Sequence, residues 1–125
     1  MDASAWIEYL RGTSIGRKIQ GLIENDNSTI ITPNIVCAEV LSKTARDQED
    51  TLKAIQAIIF NSILANEEQS DYFEAGILHA SIRKEHEGIS IADAIIITIA
   101  KKHQAKIITT DFHLKNEEAA YFAQK

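Results

Sequence analysis

Apolar positions in this chain alternate between short β-like runs and longer stretches at helical spacing, the pattern of an α/β domain. Residues 3–10 read as a short helix with Trp6, Ile7 and Leu10 on one side, broken by Arg11-Gly12-Thr13. Residues 15–25 read as a second helix through Ile15, Ile19, Leu22 and Ile23, and 29–31 as a short strand. Thr32-Pro33 opens the next helix, which runs to about residue 45: threonine suits the N-cap and proline the first helical position. Residues 49–60 form another helix, 62–64 a strand, and 68–87 a long helix carrying Tyr72, Ala75, Leu78 and Ile82 that Gly88 ends. Ser90 begins a helix reaching to about residue 103, 106–109 is a β-branched strand, and 112–116 is loop or turn. Residues 117–122 read either as a helical turn or as a last strand. No strand precedes the first helix, where an α/β sheet of this layout would normally have one.

The length of 125 residues bounds the chain to one domain, 1–125, long enough to bury a core without disulfides or a structural metal. No repeat, low-complexity segment or linker interrupts it, and Pro33 is its only proline. The apolar fraction of 45% and charged fraction of 25% are ordinary for a globular protein and exclude disorder over most of the chain. Cys37 is the only cysteine, so an internal disulfide and a zinc ribbon are excluded. Between Val36 and Ala38 it reads as a small buried hydrophobe, and a reducing compartment, the cytosol, is expected. No secretory signal is read at the start, and the most apolar stretch, 91–100, is too short to span a bilayer and contains Asp93, so no membrane is expected as a partner. The net charge of −5 counts against a plain DNA-binding module; any nucleic acid must be held by local basic patches and metal.

Four acids then stand out by their settings. Asp2 lies just before the first helix, Glu39 interrupts the apolar run from Ile35 to Leu41, Asp93 interrupts 89–99, and Asp111 follows the strand at 106–109. An acid among isoleucines is costly to bury unless it is paired or binds a metal, and oxygen-only ligands select hard cations such as Mg²⁺ or Mn²⁺. Sites in open parallel sheets form beyond the carboxyl ends of the strands; Asp111 fits that place, and Glu39 and Asp93 sit in first turns of helices starting near it. Each acid also has an ordinary reading. Asp93 with Ser90 makes a capping box, Asp111 a turn aspartate, Glu39 a boundary glutamate, and Asp2 a loose terminal residue. The ordered set carries more than any member.

Asp2-Ala-Ser-Ala-Trp-Ile-Glu-Tyr-Leu-Arg-Gly, Thr32-Pro-Asn-Ile-Val-Cys-Ala-Glu39-Val, Ile91-Ala-Asp93-Ala-Ile-Ile-Ile-Thr-Ile-Ala and Ile107-Ile-Thr-Thr-Asp111-Phe-His-Leu resemble, in order, the motifs of PIN domains of the VapC toxin type. The resemblance spans nearly the whole chain and implies a central parallel sheet flanked by helices. It implies a ribonuclease that cuts RNA phosphodiesters with Mg²⁺ or Mn²⁺, acting as the toxin of a toxin–antitoxin pair with an antitoxin protein that binds and blocks the site. Asp2, Glu39, Asp93 and Asp111 become the metal-binding acids, Ser4 supports Asp2 by a hydrogen bond, and Thr109 supports Asp111 in the same way. Two departures stand against the pattern. Only Met1 precedes the first aspartate, so the first strand is short or missing, as a late start or a trimmed chain would make it; Asp2 is then expected to be poorly fixed and to bind metal weakly. His113 stands where some members carry a further acid and is read as a substrate contact or a solvated surface residue.

The implied chemistry is metal-assisted hydrolysis, with Asp93 orienting the attacking water and Arg11, Arg17, Lys18, Lys43 and Arg46 as candidates for phosphate contacts. Two rivals remain: a catalytically inactive module of the same fold that binds RNA or a protein, and an aspartate-dependent phosphatase or phospho-receiver, which Asp2-Ala3-Ser4 and Thr109-Thr110 fit poorly. Leu52, Ile55, Ile58, Ile59 and Phe60 give the 49–60 helix more apolar surface than one small sheet face covers, and a homodimer is expected.

Overall fold

A computed structural model describes residues 1–111 and the backbone of residues 120–122. The elements run α1 (Ala3–Arg11), α2 (Ser14–Ile23), β1 (Ile31–Thr32), α3 (Asn34–Arg46), α4 (Thr51–Asn61), β2 (Ile63–Leu64), α5 (Gln69–Arg83), α6 (Ile91–Lys102), β3 (Ile107–Thr109) and β4 (Ala120–Phe122). The mixed α/β architecture is the one read from the sequence. Residues 117–122, left open between a turn and a strand, contain β4; the expected loop at 112–116 lies outside the described residues.

The strands pair in two parallel sets. β1 pairs with β2 in the register Ile31↔Ile63, and β3 with β4 in the register Ile108↔Tyr121. Between the sets lie Met1 and Asp2. The Met1 nitrogen donates to the Ile31 carbonyl at 2.5 Å, and the Asp2 amide donates to the Ile108 carbonyl at 3.0 Å. Two residues thus bridge both halves of the sheet where a full strand was missed. Met1 and Asp2 are 7% and 5% exposed. The expectation that Asp2 is poorly fixed is therefore corrected, because paired backbone and buried neighbours restrain it on both sides.

Helices cover this short sheet with a main core, including Trp6, Ile19, Val36, Val40, Ile58, Ile96, Ile97 and Ile107, and a smaller cluster of Ala65, Ala75, Ile95 and Ile99. In α6 every residue from Asp93 to Ala100 is buried, so it is a central helix rather than a surface one. α1 ends at Gly12, whose φ of +65° is left-handed backbone that glycine adopts without a Cβ clash. α2 then packs against α1 through Gly16, where a Cβ would stand 2.0 Å from the Glu8 carbonyl oxygen.

Among the departures from the sequence reading, two helix boundaries and one helix face stand out. Thr32 belongs to β1 and Pro33 is the N-cap of α3, because the Thr32 hydroxyl is engaged elsewhere. Trp6 Nε1 donates to Thr32 Oγ1 at 3.2 Å, Thr32 Oγ1 donates to Ser62 Oγ at 2.8 Å, and Ser62 Oγ donates to the Ile58 carbonyl at 2.6 Å. The amide of Asn34 in the first turn of α3 is satisfied instead by Glu67 Oε2 at 2.6 Å. α5 ends at Arg83, so Gly88 does not end it; residues 84–90 form the turn into α6. Finally, Ile58 faces the core of α4, whereas Leu52, Ile59 and Phe60 are 62%, 58% and 82% exposed.

Thr32→Val keeps the shape but leaves the Trp6 indole N–H buried without an acceptor, which costs about 1–3 kcal/mol. Urea unfolding should show that loss, and Ser62→Ala, which leaves the indole bond intact, should cost less.

Candidate active site

Asp2 sits at the N-cap of α1 and its carboxylate is gripped from three directions. The Ala3 amide donates to Oδ1 at 2.7 Å, while Ser4 Oγ and Thr109 Oγ1 donate to Oδ2 at 2.9 and 2.7 Å. Each hydroxyl also accepts a backbone amide, Ser4 that of Thr110 at 3.0 Å and Thr109 that of Asp111 at 2.9 Å. Each hydroxyl has one proton and both protons go to Asp2, so the 3.3 Å approach of Ser4 Oγ and Thr109 Oγ1 is a packing contact between two donors to the same oxygen. Ser4 thus supports Asp2 as expected. Thr109 differs: it holds the carboxylate of Asp2, and receives the backbone amide of Asp111.

Asp93 lies at the third position of α6. Its Oδ2 accepts from the Ser90 amide at 2.9 Å, and its own amide donates to Ser90 Oγ at 3.0 Å. The capping box read from the sequence is real, and it coexists with a place in the acid cluster. Glu39 lies half-buried on α3, and its Oε1 is buried with no hydrogen-bond partner among the described residues. Asp111, half-buried, follows β3 by two residues.

The field among these side chains shows that they share one region. Burial pushes the Glu39 carboxyl up to about 7, and the negative charges of Asp2, Asp93 and Asp111 add to the shift. Burial raises the Asp2 carboxyl as well; the hydrogen bonds from Thr109, Ser4 and the Ala3 amide oppose this, and the charge of Asp93 adds to it. Among the described residues the charges acting on Glu39 are all negative, so the predicted acids repel it. Oxygen donors, mutual repulsion and an orphaned buried Glu39 oxygen fit a hard divalent cation. Among the described residues, however, no group of three or more such side chains is arranged to hold an ion as it stands.

The basic residues proposed for phosphate contacts are partly engaged. The Arg11 guanidinium donates to Asp47 Oδ2 at 2.7 Å and Glu49 Oε1 at 2.6 Å, and Lys43 pairs with Asp47 at 3.0 Å. Arg46 Nε donates to the Ser42 carbonyl at 3.2 Å, and Arg17 and Lys18 are exposed on α2. His113 lies outside the described residues.

The raised Glu39 value sets the pH dependence of stability. A carboxyl raised from 4.5 to about 7 on folding contributes stability present below pH 4.5 and lost as pH rises through about 7. Without metal, Glu39→Gln should therefore be more stable than the parent at pH 8, by about 1 kcal/mol after allowance for solvent screening, with the gap closing toward pH 4. Melting curves at the two pH values measure it.

Comparisons with known proteins agree with this geometry. The chain is 29% identical over 115 residues, 89% of its length and 84% of the relative's, to a protein named VapC ribonuclease Mb1587 from Mycobacterium bovis. It matches proteins named Ribonuclease VapC11 from two strains of Mycobacterium tuberculosis with the same identity and coverage. The PIN domain family model matches residues 1–117, and the chain belongs to the PIN domain family.

Proposed function

We propose that this protein is a metal-dependent endoribonuclease hydrolysing RNA phosphodiester bonds, the toxin of a toxin–antitoxin pair. The observation that carries the reading is the group of Asp2, Glu39, Asp93 and Asp111, in which the described charges acting on Glu39 are all negative. The VapC ribonuclease names of the relatives support the same activity. An RNA substrate, an antitoxin partner, a cytoplasmic location and a domain running through 1–125 belong to this proposal. No helix among the described residues is long and apolar enough to cross a membrane.

Bound among these acids, Mg²⁺ or Mn²⁺ would lower the pKa of a water and offset charge on the phosphate oxygens. Asp2 offers an oxygen pair whose orientation is fixed by Ser4, Thr109 and the Ala3 amide. Glu39 brings an oxygen without a hydrogen-bond partner among the described residues and gives up its proton near neutrality, which suits it to an ion rather than to a permanent ion pair. Asp111 lies beside Asp2 through the shared Thr109 hydroxyl. Asp93, held through Oδ2 by its cap, is proposed to orient the attacking water. His113 is assigned to substrate. Arg17 and Lys18, exposed on α2, are candidates for RNA phosphates, while Arg11 and Lys43 already face acids.

A catalytically inactive module of this fold, binding RNA or a protein, is the second reading, favoured by the lack of a ready coordination group among the described residues. Cleavage separates the two. In the presence of Mn²⁺ the protein should cut RNA, and Asp93→Asn and Glu39→Gln should each lower the rate by about 100-fold or more while remaining folded, as loss of a group stabilising transition-state charge does. Full cleavage by both folded variants contradicts the assignment.

The exposed Leu52, Ile55, Ile59 and Phe60 on α4 are proposed to be covered in a homodimer. Light scattering at micromolar concentration should give twice the mass of the 13.9 kDa chain; the monomer mass would count against it.

A further inference from the structure

The turn between α5 and α6 contains a link that the proposed chemistry does not use. His79, half-buried on α5, places Nε2 3.0 Å from the Ile89 carbonyl oxygen. A carbonyl oxygen only accepts, so Nε2 carries the proton and donates. The same peptide unit presents its N–H, that of Ser90, to Asp93 Oδ2 at 2.9 Å. The bond is trans, so its C=O and N–H point in opposite directions. One peptide plane is thus gripped from both ends, by an imidazole on one side and by a carboxylate of the acid cluster on the other. Ile89 is 4% exposed, so the carbonyl end of the link is shielded from competing water.

We propose that His79 is a positioning residue for Asp93, acting through the Ile89–Ser90 peptide; the proposal rests on the nuclease reading above. Two physical effects follow. Donation to the carbonyl fixes the rotation of the peptide plane, which otherwise turns about the φ and ψ of a residue outside any helix. It also polarises the amide, which strengthens the bond to Asp93 Oδ2, since hydrogen bonds in a chain reinforce one another at low dielectric. The carboxylate is then held in one rotation, with Oδ2 fixed toward the cap. A short aspartate at the start of a helix has its own cap as one restraint; His79 adds a second from a different helix. Side-chain positions of catalytic groups need such support, because small misplacements cost large factors in rate.

The test uses the full chain with His79→Ala, which removes the donor, and His79→Gln, whose side-chain amide can restore an N–H at similar reach. Hydrogen exchange at the Ser90 amide reads the link itself, and steady-state cleavage with Mn²⁺ reads its consequence. His79→Ala should speed Ser90 exchange and lower kcat by about 10-fold each, equivalent to about 1.4 kcal/mol, with the KM for RNA within about 2-fold. His79→Gln should recover most of both. A folded His79→Ala with unchanged Ser90 exchange overturns the proposal, and so does a folded His79→Gln that recovers neither reading. If the alanine variant does not fold, the glutamine variant decides alone: near-parental exchange and kcat support the proposal, and losses matching an unlinked amide overturn it. Failure of the nuclease reading has a separate signature, since the parent protein would then leave RNA intact with Mn²⁺ while Ser90 exchange still reports on His79.

Discussion

The carboxylate of Asp2 is the joint on which the molecule turns. It caps α1, it receives the hydroxyl of Thr109 from the end of β3, and its own amide pairs with the Ile108 carbonyl. Ser4 and Thr109 each pass a backbone amide, from Thr110 and Asp111, into the same cluster. The start of the chain is thereby fastened to the segment that leads into Asp111, 109 positions further on. Met1 completes the joint on the other side through Ile31. Few residues are involved, but nearly all of their polar atoms are engaged, which is why so short a central element holds the two strand pairs together.

What this joint builds is electrostatically unfavourable by itself. Asp2, Glu39, Asp93 and Asp111 converge from α1, α3, α6 and the end of β3, and burial and repulsion raise Glu39 to about 7. A fold that selected only for stability would place an apolar residue or a cation there. Asp93 shows how the tension is contained. One oxygen serves the helix cap, a purely structural duty, while the residue still belongs to the acid group. In the proposed reading structure and chemistry share the side chain, and the capping box gives its position without consuming all of it.

Local signals were legible in the sequence and non-local ones were not. Ser90 with Asp93 announces a helix start by spacing, and the apolar run after it announces a buried helix; both are present. Gly12 and the helices around it were equally plain. Thr32 misled because a threonine before proline is a good N-cap in isolation, whereas here Trp6 and Ser62, distant in sequence, claim its hydroxyl. Thr109 misled for the same reason: its bond to Asp2 depends on strand adjacency that no local pattern carries. Met1-Asp2 was too short to read as a strand, since periodicity needs several residues, yet two backbone hydrogen bonds suffice when strands already stand on either side. Gly88 was a plausible helix end, but α5 stops earlier and the turn before α6 takes the peptide that His79 and Asp93 share.

If these four acids form one divalent-cation site, as proposed, metal binding must release protons. Metal displaces protons from its ligands, and Glu39 with a value of about 7 holds one part of the time near neutrality. Mn²⁺ titration calorimetry at pH 6.5, in two buffers of different ionisation enthalpy, should show binding with net proton release that fades as the pH is raised to 8. Binding without proton release, or no binding heat in either buffer, would contradict the claim.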